Sequence, residues 1–177
     1  ETILFFDLHE DLARVRSKLK LERNSKQGSP TSSVLQLHGE GLTLHSVKLN
    51  GAGCTQLSTG SDPKQAALRQ YGLFADGDSH HMLCIGVGDL TSFEVEIEVT
   101  NEPQKNLACE GLYKSSGMFC TQCEAESFRK ITYFADRPDV MSLFTVTLEA
   151  DKAKYPILLS NGNRIASRDL GNGRHEA

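Results

Sequence analysis

The stretch SFEVEIEV, residues 92–99, decides the fold class of this chain, because its apolar and acidic residues alternate without a break. Successive side chains of a β-strand point to opposite faces, so a period of two is typical of a strand with one buried face and one wet face. The apolar face holds Phe93, Val95, Ile97 and Val99. The segment therefore predicts a half-buried strand, and much of the chain repeats its pattern.

The same alternation predicts a hairpin at the start of the chain. Apolar residues alternate over Thr2–Leu8 and again over residues 13–21, and the sequence His-Glu-Asp lies between the two runs as a turn. The even positions of the second run carry Arg14, Arg16, Lys18 and Lys20. This spacing indicates the solvent-exposed face of one strand rather than a nucleic-acid surface, so we expect no nucleic-acid partner.

Further strands are predicted at residues 34–37, 42–49, 144–148 and 155–159, with breaks at Gly39 and Gly41 and a positive-φ turn at Asn50-Gly51. Residues 25–33 are a loop by composition. Residues 52–81 are long, polar and irregular, so we predict an insertion or long loop there, with a short helix at residues 63–70. The sum is an all-β fold, a sandwich or barrel with short helical segments.

Length and composition are those of one soluble globular domain. The chain has 177 residues, of which 38% are hydrophobic and 24% charged, and its net charge is −4. No apolar run approaches the roughly 18 residues of a membrane-spanning helix, so we expect no membrane association. Five irregularly spaced cysteines and the lack of an Asn-x-Ser/Thr acceptor favour a reducing compartment, and we expect a cytoplasmic location.

The two ends of the sequence carry expectations about a longer polypeptide. The chain starts at Glu1 rather than at a methionine, so we expect a trimmed or processed chain whose native targeting signal is not visible. Asn172-Gly173 predicts a hairpin turn, but few residues follow it. We expect no returning strand within this chain, and we expect the native polypeptide to continue beyond Ala177.

The pair Cys120-x-x-Cys123, within MFCTQCE at residues 118–124, has three interpretations. A tetrahedral zinc site needs four ligands, and the second CxxC or histidine pair that usually supplies the other two has no counterpart here. A thioredoxin-like redox pair requires a helix N-terminus in an α/β context, whereas the surrounding pattern predicts strands. The pattern favours cysteines that serve as packing residues.

The other motifs with catalytic associations are incomplete. His175-Glu176 begins like the His-Glu-x-x-His helix of zinc peptidases, but it follows a turn that leads into a strand and has no second histidine. The Gly-x-Gly sequences at residues 51–53, 86–88 and 171–173 each match part of a phosphate-binding loop, yet none of them opens a helix. The chain's own residues therefore supply no complete catalytic set.

Residues 113–144 follow neither periodicity. Their apolar and polar residues do not alternate as in a strand, and the apolar pattern is too interrupted for one helix. The segment also places a glutamine and carboxylates beside apolar residues. A loop of this kind on a rigid sheet is where a binding site is commonly placed. The alternative is an edge loop that packs against a neighbouring domain, and composition alone favours that alternative.

Three stretches resemble one known family. GLYKSSGMFCTQCEAESFRKITYFADRPDVMSLF, residues 111–144, closely resembles the N-terminal domain of aminopeptidase N, a zinc metallo-aminopeptidase family with a His-Glu-x-x-His site, in its bacterial and parasite-like branch. LHGEGLTLHSVKLNG, residues 37–51, resembles the family's earlier strand pair, and FTVTLEADKAKYPILLSNGN, residues 144–163, resembles the strands that close the domain. The resemblance covers most of the chain, with residues 52–81 as the unmatched part.

The resemblance implies a saddle-shaped β-sandwich over residues 1–177 that caps a catalytic domain absent from this chain. It also implies that the loop at residues 121–124 reaches into the active site of that domain. There Glu124 binds the free α-amino group of the substrate, Gln122 lines the pocket for the first side chain, and the cysteines are incidental. A carboxylate in a water-poor cleft recognises a terminal ammonium by a charge-assisted hydrogen bond. Glu126 is the nearby control, which we expect to be solvated or paired with Arg129 or Lys130.

The family's zinc ligands, catalytic tyrosine and substrate-binding strand have no counterpart in this sequence. The resemblance implies zinc in a longer enzyme that removes N-terminal amino acids from peptides, so we expect peptide substrates and the enzyme's own catalytic domain as partners. We expect this chain alone to bind no metal and to be inactive. Glutamate at position 124 favours the aminopeptidase branch over an epoxide-hydrolysing branch that carries glutamine there. The alternative is a non-catalytic protein-interaction scaffold of the same fold.

Overall fold

A computed structural model describes residues 1–24, 32–75 and 80–177. Most elements in these ranges are strands, and three short 3₁₀ turns lie at Pro63–Gln65, Pro103–Lys105 and Phe128–Lys130. In chain order the strands are β1 (Thr2–Leu8), β2 (Ala13–Glu22), β3 (Val34–Glu40), β4 (Thr43–Leu49), β5 (Ala52–Gly53), β6 (Thr55–Gln56), β7 (Gln70–Ala75), β8 (His80–Gly86), β9 (Ser92–Asn101), β10 (Gly111–Ser115), β11 (Met118–Gln122), β12 (Phe144–Asp151), β13 (Arg168–Gly171) and β14 (Arg174–Glu176). The loop predicted at residues 25–33 falls mostly on residues 25–31, outside the described ranges.

The strands form three sheets. The largest has the order β13-β14-β12-β1-β2-β9-β4-β5, the second has the order β3-β8-β7-β6, and β10 and β11 form a separate hairpin. In the large sheet β1 pairs with β2 in antiparallel and with β12 in parallel, so a strand from the start of the chain lies beside one from its last quarter. The hairpin predicted from residues 2–21 is therefore confirmed.

The core lies between the large sheet and the four-stranded sheet. Strand β9 buries the apolar face predicted from its sequence, with Phe93, Val95, Ile97 and Val99. These side chains share one hydrophobic cluster with Leu37, Leu83 and Ile85 of the second sheet. Two sheets that bury their apolar faces against each other form a sandwich, which confirms the predicted all-β class.

The opposite face of β2 and β9 is a ladder of ion pairs. Lys18 Nζ lies 2.9 Å from Glu94 Oε1, and Arg14 Nε lies 3.5 Å from Glu98 Oε1. The guanidinium of Arg16 lies 4.2 Å from the ring centroid of Phe5. Opposite charges on directly paired strands stabilise a sheet, so the basic stripe of β2 is matched within the fold. No helix in the described ranges has the length and apolar character of a membrane span.

The prediction that residues 52–81 are irregular is wrong for much of that segment. Strand β7 pairs with β8, with Gly72 opposite Cys84 and Leu73 opposite Leu83. Strand β7 lies largely exposed, so it lacks the alternation that reveals a half-buried strand. The predicted helix at residues 63–70 is reduced to the 3₁₀ turn Pro63–Gln65. Residues 76–79 lie outside the described ranges, and the assignment of the segment as an insertion stays a prediction.

Two predictions near the end of the chain are also wrong. Residues 155–159 form no strand, because both edges of β12 are already occupied by β1 and β14, and Pro156 has no N–H to donate to a ladder. A strand does return after the Asn172-Gly173 turn. It is β14, which pairs antiparallel with both β13 and β12. The hairpin at the end of the sheet is therefore closed, although it is short.

Candidate functional site

The candidate site is carried by the β10–β11 hairpin. Its turn is Ser116-Gly117, and both residues have positive φ, 49° and 84°. Two successive positive φ values are typical of the tight turns that match the twist of a hairpin. Strand β11 ends at Gln122, which lies opposite Gly111 in the pairing register. A Cβ atom at Gly111 would lie 2.5 Å from Lys130 Cβ, so only glycine allows the hairpin to lie this close to the chain that follows it.

Gln122, the last residue of β11, and Glu124, in the turn that follows, belong to one segment, which we call the tip (residues 121–126). The backbone N–H of Glu124 donates to Gln122 Oε1 at 2.9 Å, so the two candidate residues are joined directly. Both side chains are exposed. Within the described ranges no hydrogen bond or ion pair is formed by the Glu124 carboxylate. Glu124 therefore presents an available anion on a turn whose backbone is held by its neighbour.

The nearby control, Glu126, behaves differently. Its Oε2 accepts a hydrogen bond from Arg129 Nη2 at 3.1 Å, as predicted. Arg129 is buried, and its Nε lies 2.9 Å from Asp136 Oδ2. The backbone N–H of Arg129 donates to the same oxygen at 3.1 Å, and its Nη2 also donates to the carbonyl oxygen of Asp136 at 2.9 Å. One guanidinium thus joins the tip to a buried aspartate.

The residues that follow the tip, which we call the anchor (residues 127–136), run through the interior. Tyr133 is 1% exposed, and burial raises the pKa of its phenol to about 12. A Cβ atom at Gly39 would lie 2.2 Å from Tyr133 Cε1, so β3 continues through a glycine that the sequence predicted to be a break. Thr132 is fully buried and shares a hydrogen bond of 2.9 Å with Ser17 of β2. The anchor is therefore part of the core.

Backbone bonds tie the anchor to the second sheet as well. The N–H of His38 donates to the carbonyl of Phe134 at 2.8 Å, and the N–H of Phe134 donates back at 3.0 Å. The ring of Phe134 also meets that of Phe128, with centroids 4.8 Å apart. The anchor is consequently fixed by backbone bonds and by packing, independently of the ion pair of Arg129.

The outer part of the hairpin is held by a second charged group. Lys114 Nζ of β10 lies 2.9 Å from Glu10 Oε1 and 4.9 Å from the ring centroid of Phe119. Glu10 also pairs with Lys154 at 2.9 Å, and the hydrogen bonds from Lys114 and Lys154 lower the pKa of its carboxyl to about 2. The Phe119 ring packs on Tyr155 with centroids 5.1 Å apart. The hairpin is therefore braced against the β1–β2 turn and the chain after β12.

Lys130 links the start of the hairpin to the second sheet. Its Nζ lies 3.0 Å from Glu40 Oε1 and 2.5 Å from Glu110 Oε2. Burial acts to lower the pKa of Lys130, but the hydrogen bonds to Glu110 and Glu40 outweigh it and raise the pKa above its ordinary value. The ammonium is therefore charged at neutral pH and holds two carboxylates, Glu40 at the end of β3 and Glu110 directly before β10.

The cysteines of the tip region lie partly inside the fold. Cys120 and Cys123 are free thiols of intermediate burial, and burial raises the pKa of the Cys123 thiol, with a smaller contribution from Asp136. A raised pKa makes a thiol less reactive. In residues 1–24, 32–75 and 80–177, no group of three or more His, Cys, Asp and Glu side chains could hold a metal ion.

The incomplete zinc motif at His175-Glu176 lies in β14 and serves structure. His175 Nε2 lies 2.7 Å from the carbonyl oxygen of Tyr155, and Glu176 pairs with Arg168 at 2.7 Å. Both side chains are thus used to hold the end of the chain against the large sheet.

Several large apolar side chains are exposed between the anchor and β13. Their exposed fractions range from 74% to 89%, and they are Met141, Leu143, Ile157, Leu159 and Ile165. Single exposed apolar residues are normal, but five within one stretch of chain are typical of a surface that another structure covers.

The fold and the site define the class of domain: an all-β sandwich with a separate hairpin that carries a polar tip. Comparison with known proteins gives its family. The family model described as the peptidase M1 N-terminal domain matches residues 15–177. The chain belongs to this family. The aminopeptidase resemblance noted in the sequence is thereby confirmed.

Individual relatives give the same result. Aminopeptidase N of Caulobacter vibrioides is 42% identical over 176 residues, which are 99% of this chain and 18% of that protein. The crystal structure of Legionella pneumophila aminopeptidase A in complex with aspartic acid matches with a TM-score of 0.80 and 26% identity, over 99% of this chain and 18% of that one. An M1 zinc metallopeptidase from Deinococcus radiodurans has a TM-score of 0.67 at 12% identity, over 99% of this chain and 36% of that one, which shows the fold alone. The chain spans less than a fifth of the length of the Caulobacter and Legionella relatives.

The structure joins the two predicted site residues, Gln122 and Glu124, by a hydrogen bond. It also shows two supporting residues, Arg129 and Asp136, behind the tip. Sequence reasoning named Arg129 only as a partner for Glu126 and missed Asp136. Arg129 and Asp136 lie in a segment that follows neither a helical nor a strand period. The sequence signal that could have linked them is their opposite charge. An arginine and an aspartate embedded among apolar residues require a charged partner if they are buried.

Proposed function

We propose that this chain is the N-terminal domain of a longer zinc-dependent aminopeptidase, in which Glu124 binds the substrate's α-ammonium group and Gln122 lines the pocket for the first side chain. One observation carries the proposal. The Glu124 carboxylate stands on an exposed turn without a partner in the described ranges, whereas Glu126, two residues away, is paired with Arg129. The names of the relatives supply the reaction class.

The chemistry of the tip suits an amino terminus. An ammonium group has three donors and no acceptor, so it needs anionic or carbonyl oxygens. Glu124 offers such oxygens, and the bond from its own N–H to Gln122 Oε1 limits how far the turn can move. Gln122 keeps its NH₂ group available for a carbonyl or a polar side chain of the substrate. A fixed carboxylate also limits how many residues fit ahead of the cleaved bond, which distinguishes an exopeptidase from an endopeptidase.

The partner of this domain would be the rest of the longer polypeptide. The relatives extend well beyond the length of this chain. The exposed apolar side chains between residues 141 and 165 offer a surface for a neighbouring domain. In this arrangement the β-sandwich caps the catalytic domain, and the tip enters the cleft between them.

Zinc would be held outside this chain. The residues in the described ranges do not fit the metal, since they provide no cluster of three ligands. We therefore assign to this chain the binding of the substrate amino terminus and no step of hydrolysis. The isolated domain is expected to be inactive.

The test uses the longer protein and chromogenic amides of alanine and leucine, with and without a zinc chelator. Glu124→Ala should lower kcat/KM about 30-fold to 1000-fold, because the substrate ammonium loses its charged partner. This corresponds to a loss of about 2–4 kcal/mol in transition-state stabilisation. Glu102→Ala is the control, since Glu102 is also an exposed glutamate, and in the described ranges it pairs with Lys105 and with no tip residue. Unchanged kcat/KM in Glu124→Ala would refute the role of Glu124. A folded, zinc-loaded protein that cleaves nothing would favour the non-catalytic scaffold.

A further inference from the structure

Arg129 is the side chain through which the exposed tip reaches the buried anchor. Its guanidinium donates from Nε to Asp136 Oδ2 at 2.9 Å and from Nη2 to the Asp136 carbonyl at 2.9 Å. The same Nη2 donates to Glu126 Oε2 at 3.1 Å. The planar guanidinium has several donors in fixed directions, so holding two residues at once restricts their relative position.

The tip is also fixed at the residues around Glu124. The N–H of Ser127 donates to the carbonyl of Cys123 at 3.0 Å, and the N–H of Glu124 donates to Gln122 Oε1 at 2.9 Å. These bonds close the turn on itself. Within the described ranges, the bond between Glu126 and Arg129 is the one side-chain hydrogen bond that joins the tip to the anchor. Without it, the turn keeps the backbone bond from Ser127 and the packing of Cys123 on the core, but the segment around Glu126 loses its side-chain link to the anchor.

We propose that Glu126 and Arg129 are positioning residues that hold the tip so that the Glu124 carboxylate meets the substrate amino terminus. The inference rests on the proposed function of Glu124. Neither residue needs to touch the substrate. A site displaced by about 1 Å loses much of its effect, so a carboxylate on an exposed turn requires support from the rigid core.

The probe is Glu126→Ala in the longer protein, because it removes the tie and leaves the buried pair of Arg129 and Asp136 intact. We expect KM for the leucine amide to rise about fivefold with little change in kcat, in line with the loss of a partly exposed ion pair. Glu126→Gln keeps an acceptor for Arg129 and should restore most of the affinity. A role in stability alone would lower the folded fraction, which reduces kcat and leaves KM unchanged.

Glu102→Ala is the matched control. Glu102 pairs with Lys105 at 2.7 Å with the same i,i+3 spacing, and its side chain is 55% exposed, compared with 56% for Glu126. The control therefore removes a glutamate of equal spacing and exposure whose partner, Lys105, is exposed and bonds to no tip residue in the part of the chain that the structure describes. Its KM should equal that of the unmodified protein.

A double-mutant cycle separates this inference from the proposed function. If Glu126 acts through Glu124, Glu126→Ala should change KM by less than about twofold in a Glu124→Ala background, because coupled residues are not additive. An equal loss in both backgrounds would overturn the inference, since Glu126 would then act by itself. No loss from Glu126→Ala, beside a large loss from Glu124→Ala, would overturn the inference and leave the proposed function standing. No loss from Glu124→Ala would overturn both.

Discussion

The tip and the anchor are consecutive in sequence but differ in almost every physical respect. Gln122, Glu124 and Glu126 of the tip are exposed, whereas Tyr133 and Thr132 of the anchor are at most 1% exposed. The tip presents a carboxylate that is available to a ligand. The anchor pairs buried polar groups within the fold, as in the bond between Thr132 and Ser17 and that between Arg129 and Asp136.

The difference teaches how a small domain separates binding from stability. A side chain that must meet a ligand has to remain unsatisfied within its own chain, which costs stability if it is buried. Placing it on an exposed turn avoids that cost, and the buried residues that follow provide the rigidity. Substitutions in the anchor should therefore change the free energy of unfolding, and substitutions in the tip should change catalysis.

The largest expected effect is that of Arg129→Ala on stability. Removing one partner of a buried ion pair leaves Asp136 buried and unpaired, which should lower the free energy of unfolding by about 3–5 kcal/mol. Urea unfolding of this chain measures the change. Arg137→Ala is the control, because Arg137 forms an exposed pair with Asp139 and its removal should leave the transition unchanged. Equal midpoints for the two variants would remove the basis of the comparison.

A second test uses pH to probe the anchor through Tyr133, with Tyr133→Phe as the comparison. The pKa of Tyr133 is raised by burial from 10 to about 12, so the folded chain keeps a proton that the unfolded chain loses. The contribution of Tyr133 to stability is complete below pH 10 and is lost as pH rises through 12. The loss should reach about 3 kcal/mol. Chemical unfolding at pH 7 to 12 should show this additional decline in the unmodified chain and not in Tyr133→Phe, and identical profiles would contradict the assignment.

The smallest effect concerns the contact between β3 and the anchor. Gly39→Ala places a methyl group against the Tyr133 ring, at 2.2 Å from Cε1 before any adjustment, and should destabilise the chain by about 1–3 kcal/mol. Gly53→Ala is the control, since a Cβ atom there has no neighbour within 4 Å. Thermal unfolding of the two variants gives the comparison. A Gly39→Ala variant as stable as Gly53→Ala would show that the anchor is looser than the structure indicates.

The sequence predicts the half-buried strands well, because alternation is a local property. Strands β1, β2 and β9 appear where the pattern places them. The pattern misleads where exposure does not alternate. Strand β7 is too exposed to show a period of two, and the apolar run at residues 155–159 follows β12, both of whose edges are already occupied by β1 and β14.

The site is predicted in part. The resemblance names Gln122 and Glu124, and the structure joins them by one hydrogen bond. The anchor could not be predicted from local pattern, because buried polar groups such as the Thr132 hydroxyl find partners that only the fold brings near. Thr132 and Ser17, for example, are 115 residues apart along the chain.

The parallel pairing of β1 with β12 has a consequence for the order in which the chain matures during synthesis. Thr2 Oγ1 lies 2.8 Å from Ser142 Oγ, although the two residues are 140 positions apart. At about 5–20 residues per second, a ribosome needs on the order of 10 s to make the intervening chain. Throughout that interval β1 has one open edge, and an open edge can pair with another nascent chain. Strand β1 thus lacks its second neighbour until β12, more than 130 residues later, has been made.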